Sequence, residues 1–106
     1  MNFIRGTTPT IEITIKNKID FSTITEVWVY ISQMNMVKVD KKINDVTFDQ
    51  SKNKIIVTLS QQDTLALKAG EALFQIRLLL QDNTALATLA TKIKVDEIYK
   101  GGVIGG

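Results

Sequence analysis

Apolar and polar residues alternate with a period of two along most of this chain, the pattern of strands with one face buried. Ile11, Ile13 and Ile15 fall on one side of a first clear strand and Glu12, Thr14 and Lys16 on the other. Pro9 suits the first position or an edge of that strand, because it has no amide to give to a central ladder. Residues 16–20, KNKID, supply a mostly polar connection towards residues 26–33, where Val27, Val29 and Ile31 share one face and Trp28 and Tyr30 the other. Both faces of that strand are expected to be partly covered. A hairpin turn at Met34 and Asn35, without the strong Asn-Gly signal, leads to a strand in which Val37 and Val39 alternate with Lys38 and Asp40. Val46 and Phe48, then Ile55, Val57 and Leu59, mark two consecutive antiparallel strands separated by a polar turn. In residues 71–81, Phe74, Ile76, Leu78 and Leu80 oppose Gln75, Arg77 and Leu79, and residues 82–84 form a hairpin. A last strand over about 85–97 sets Leu89, Ile93 and Val95 against Thr88, Lys92 and Lys94, and is long enough for a bend or bulge.

Residues 59–70, LSQQDTLALKAG, break the alternation. Ser60 and Asp63 have the spacing of a capping box, in which each side chain satisfies an otherwise unpaired amide of a first helical turn. Gly70 is expected to close the element in a left-handed conformation. Leu59, Leu65 and Leu67 would then pin a short helical turn, near residues 61–68, over the end of the core. A lid for the core is the first reading of this turn and a binding role the second.

About seven short strands without alternating helices predict an all-β fold, an immunoglobulin-like antiparallel sandwich. It needs no inter-sheet disulfide. Trp28 is a contender for its central core position, in competition with Val27, Val29 and Ile31. Residues 1–100 read as a single domain and residues 101–106 as a flexible glycine-rich tail.

The composition agrees, since 106 residues with 44% apolar and 23% charged content match one ordinary globular domain. The net charge of +2 is small and the lysines are scattered among acids, which is not the footprint of a nucleic-acid binder. No apolar run approaches the roughly 18 residues that span a bilayer, so no membrane is expected. There is no cysteine and no histidine, which removes thiol chemistry, the usual general base and the usual metal ligand. The carboxylate pairs Asp40/Asp45 and Asp96/Glu97 fit solvated turns and strand ends better than an acid–base couple across a cleft. Neither glycine-bearing loop has the phosphate-cradling pattern. These residues predict no catalytic site, no cofactor and no metal; the protein is expected not to be an enzyme.

Three motifs carry a resemblance: Arg5, Gly6, Thr7, Thr8 and Pro9 at the start; residues 59–65 with Gly70; and Gln75 with Arg77. With the closing VDEIYKGGVIGG, they resemble a family of small proteins from phages and prophages of Gram-positive bacteria. That family is in turn similar to the immunoglobulin-like N-terminal domain of baseplate upper proteins. The resemblance implies a non-enzymatic structural protein of a phage tail or baseplate, located in the virion or, during assembly, in the host cytoplasm. Its partners would be other tail or baseplate proteins, with a homo-oligomer as a further possibility. Candidate interaction residues are Phe3, Ile4, Val103 and Ile104, which would be costly to leave wet together, and Arg5 and Arg77. Two readings of the ends remain open. They add a strand to a neighbouring sheet edge, or Phe3 and Ile4 belong to a first strand of the same sandwich beside a disordered tail. The alternative function is a carbohydrate-binding or adhesin-like module using Trp28, Tyr30 and Tyr99. A hydrolase ranks third, with no residue to carry it.

Overall fold

A computed structural model describes residues 1–105, so the end of the expected tail, residue 106, lies outside the described residues. The strands are β1 (Asn2–Ile4), β2 (Thr10–Thr14), β3 (Ile24–Gln33), β4 (Met36–Lys42), β5 (Val46–Asp49), β6 (Lys54–Thr58), β7 (Gly70–Leu80), β8 (Ala85–Ala87) and β9 (Thr91–Asp96). One short helix, α1 (Gln61–Leu65), follows β6. The larger sheet has the order β1-β9-β7-β3-β4, with β8 beside β7, and the smaller has the order β2-β6-β5. The fold is an all-β sandwich, as the alternation implies.

Strand register explains the core. Val27, Val29 and Ile31 of β3 stand opposite Leu78, Ile76 and Phe74 of β7, and all six are buried. Ile11, Ile55 and Val57 of the smaller sheet close over them. Because successive side chains alternate in direction, filling the inner row with Val27, Val29 and Ile31 sends Trp28 outward. Trp28 is 43% exposed and is not a core residue.

Other expectations also need correction. Among the described residues there are nine strands where about seven were expected, and the sheets are not wholly antiparallel. β1 runs parallel to β9, with Phe3 opposite Val95. The expected strand over 85–97 divides into β8, which pairs with residues 77–79, and β9, which pairs with residues 70–74. Thr88 holds the break: its amide donates to the Ile76 carbonyl at 2.9 Å and its hydroxyl accepts from the Ile76 amide at 3.1 Å. Leu89 is therefore 81% exposed instead of sharing the face of Ile93 and Val95. A register shift between Ile31 and Ser32 places Val37 opposite Ser32 and turns it to solvent. α1 ends at Ala66, which caps it in a right-handed conformation. Gly70, at φ +126°, opens β7 and does not close the helix. Met34 and Asn35 do form the hairpin, both with positive φ.

Candidate association surface

At one end of the sandwich the chain crosses between sheets twice, over residues 5–9 and again over residues 59–69, and the crossings are bonded to each other. Thr64, fully buried in α1, accepts from the Gly6 amide and donates to the Thr7 carbonyl, each at 2.9 Å. Arg5 Nη2 donates to the Leu65 carbonyl at 3.1 Å and Nη1 pairs with Glu97. The Leu59 amide donates to the Pro9 carbonyl at 2.9 Å. Gly6 has φ +77°, a conformation in which a side chain would be strained. The capping box is present: the Asp63 amide donates to Ser60 Oγ at 3.0 Å and the Ser60 amide to Asp63 Oδ2 at 2.8 Å. Lys41 of β4 pairs with the same carboxylate at 2.7 Å. Burial pushes the Asp63 carboxyl up, but the hydrogen bonds from Lys41 and Ser60 outweigh it and hold the group below the usual aspartate range. From β3, buried Gln33 accepts from the Lys68 amide and donates to the Lys68 carbonyl, both at 2.8 Å. The opening motif, the turn and the closing segment thus form one structural lock.

The candidate interaction residues do not share a surface. Phe3 is buried in β1, while Ile4 beside it is 46% exposed. Arg5 belongs to the lock. Val103 and Ile104 are exposed near α1, where the Gln61 amide group accepts from the Ile104 amide at 2.8 Å and donates to its carbonyl at 3.1 Å. Arg77 lies apart, on the outer face of the larger sheet.

That face holds the most distinctive arrangement among the described residues. Trp28 carries Lys42 Nζ 4.6 Å from its ring centre and the Arg77 guanidinium at 5.3 Å. Register places Glu26, Trp28, Tyr30 and Ser32 of β3 on this side with Asp40 and Lys42 of β4 and with Leu73, Gln75, Arg77 and Leu79 of β7. Glu71, Lys92, Lys94 and Asp96 extend it across β9. Most of these charges are paired locally: Lys42 with Asp40, Lys92 with Glu71, and Lys94 with Asp96. Glu26 and Arg77 have no ion-pair partner among the described residues, and both line a hollow of about 190 Å³ with Trp28, Leu79 and Ala85. Sequence reasoning flagged Arg77 and missed Glu26, since local charge pairing on a face appears only once the strand register is known.

The three rings considered for sugar binding do not make a platform. Trp28 is on the face, Tyr30 is half-buried with its hydroxyl bonded to Gln75, and Tyr99 is fully exposed beyond β9. A second hollow, about 360 Å³, opens between the sheets where β8 gives way to β9; Ile13, Ile76 and Leu86 line it and no carboxylate does. Among the described residues no group of His, Cys, Asp and Glu could hold a metal ion, and no helix is long and apolar enough to cross a membrane.

No protein-family description and no curated protein matches the chain. Among solved structures, it is similar to CopC from Methylosinus trichosporium OB3b, with a TM-score of 0.54 and 11% identity over 94% of this chain and 85% of that one. A likeness at that identity shows the fold alone. The expected phage tail or baseplate role is not upheld: no family description and no curated protein supports it, and the structural match is to CopC. Two of the three motifs that suggested that role, residues 5–9 and residues 59–65, have a physical account in the lock between the two crossings.

Proposed function

We propose that the chain is a non-enzymatic association module that docks a protein partner on the outer face of its larger sheet, around Trp28. The observation that carries this reading is the exposed indole, flanked by two cations, on a face most of whose other charges are paired in place. Tryptophan and arginine supply much of the energy at the centres of protein interfaces, and charges satisfied within one surface lose less on being covered. The absence of histidine and cysteine supports a role without acid–base or thiol chemistry.

Because the chain has no cysteine, a single introduced thiol can carry a photo-crosslinker to a chosen face. Ser32→Cys places it on the same outer face as Trp28, four residues along β3, and Thr47→Cys places it at an exposed position of β5 in the smaller sheet. In extracts of the cells that make the protein, the Ser32→Cys protein should give discrete protein adducts. Adding Trp28→Ala should cut their yield by roughly tenfold or more, the effect of losing a central anchor. The same adducts from the Thr47→Cys protein, or a yield indifferent to Trp28, would refute the proposal.

A further inference from the structure

We infer that the partner at this face is a second copy of the chain, related by a two-fold axis, with Arg77 of each copy paired to Glu26 of the other on either side of the two Trp28 rings. The inference rests on the reading of the outer face as an association surface, and adds which partner it takes.

Charge pairing carries the argument. Register places four cations, Lys42, Arg77, Lys92 and Lys94, and four anions, Glu26, Asp40, Glu71 and Asp96, on the face, while Lys38, in the β4 bulge, has no register partner. Three of each sign are paired within the copy. Of these eight, one cation and one anion remain, both in the same hollow beside the one exposed indole of the chain. A two-fold interface brings a patch against itself, so each group i that meets j must find j meeting i. A patch with one free group of each sign meets that condition, and both groups are then used. An acidic partner would instead leave Glu26 opposed by like charge, and a basic partner would do the same to Arg77. Trp28, with Leu79 and Ala85 in the same hollow, provides the apolar centre, and Leu73, 41% exposed, lies further along β7.

Area sets the scale of the contact. The five strands of the face have 3, 6, 11, 10 and 7 residues from β1 to β4, which at about 4.8 Å per strand and about 3.4 Å per residue gives roughly 600 Å². That is the lower end of what a specific interface takes from each partner, about 600 Å², and matches a dimer that dissociates on dilution.

The test uses the purified full chain in sedimentation equilibrium over a wide concentration range. The wild type should move from monomer to twice the monomer mass as concentration rises. Arg77→Glu and Glu26→Arg each oppose like charges twice across the axis, so each alone should weaken the dimer by roughly tenfold or more. A one-to-one mixture of the two variants should associate again: an all-acidic copy then faces an all-basic one, and both pairs re-form. Glu26 is exposed and unpaired in the monomer, so Glu26→Arg should keep the wild-type denaturation curve, whereas Arg77 lies against the Trp28 ring, so Arg77→Glu should still unfold cooperatively with at most a small drop in midpoint. A wild type that stays monomeric, single variants that dimerise as tightly as the wild type, or a mixture that fails to associate would each overturn the inference. If the purified chain is monomeric while the Ser32→Cys protein still crosslinks to a different protein in a Trp28-dependent way, the association reading stands and only the dimer falls.

Discussion

Thr64 has no exposed surface, yet its one hydroxyl joins two chain segments nearly sixty residues apart, bonding the Gly6 amide and the Thr7 carbonyl. Replacing it with valine would keep the shape and leave both backbone groups facing an apolar methyl. Thr64→Val should therefore cost about 1–3 kcal/mol, the range for stranding buried polar groups. Thr64→Ser keeps the hydroxyl and loses one methyl, which costs about 1 kcal/mol. Urea unfolding separates the two effects: a Thr64→Val protein no less stable than the Thr64→Ser protein would mean that the hydroxyl is not what joins the crossings. Ser60 bears on the same helix from its other side. Its Oγ accepts from the Asp63 amide, and Ser60→Ala should lose about 1 kcal/mol. An undiminished urea midpoint in that variant would count against the cap. The lock also explains why residues 5–9 and residues 59–65 stand out in the sequence: each is fitted to the other's backbone, and neither holds a reactive group.

At the scale of elements, α1 is tied to the larger sheet by the Lys41–Asp63 pair as well as by its cap. Asp63 titrates below the usual aspartate range in the folded state. The folded protein therefore binds its proton less readily than the unfolded chain does. The stability this contributes is fully present above the unfolded pKa and is lost as pH falls through the lowered folded one. Asp63→Asn should accordingly be less stable than wild type at neutral pH, and the gap should narrow as pH drops below about 4, where an ordinary aspartate protonates. Thermal melts of both proteins across that range would show it; a gap that holds constant or widens in acid would contradict the linkage. The elements themselves were unequally legible. A period of two was enough to assign the inner rows of β6 and β7, and the spacing of Ser60 and Asp63 was enough for the cap. It could not decide which way Trp28 points, because both rows of β3 are apolar and only the fit against β7 selects one. The break that exposes Leu89 was hidden for the same reason: Thr88 bonds to Ile76, a partner on another strand. The parallel pairing of β1 with β9 joins opposite ends of the chain and leaves no local signal. Of the candidate site, Arg77 was visible and Glu26 was not, since finding an unpaired charge requires knowing which others are paired.

On the scale of the whole molecule, stability and association are assigned to different sides of the same sheet. Lys41 stands opposite buried Val29 in the register and reaches Asp63 at the lock, whereas its neighbour Lys42 stands opposite Trp28 and lies on the ring. One strand, β4, thus serves both regions through alternate side chains. Contacts that hold the sandwich closed lie on the inner side and at its end; the groups free to meet a partner lie on the outer side. Substitutions in the two regions should then be independent, as they are for sites that share no partner. Thr64→Val should lower the unfolding free energy without moving the monomer–dimer equilibrium. Glu26→Arg should weaken the dimer and leave monomer stability within about 0.5 kcal/mol of wild type, since it replaces an exposed, unbonded side chain. Because association itself raises apparent stability by mass action, the unfolding measurements belong at concentrations where sedimentation shows the monomer. Under those conditions the Thr64→Val/Glu26→Arg protein should show the sum of the two single effects to within about 0.5 kcal/mol. A departure of 1 kcal/mol or more would mean that the lock and the outer face are coupled through β4, and that the sheet does not separate the work of folding from the work of binding.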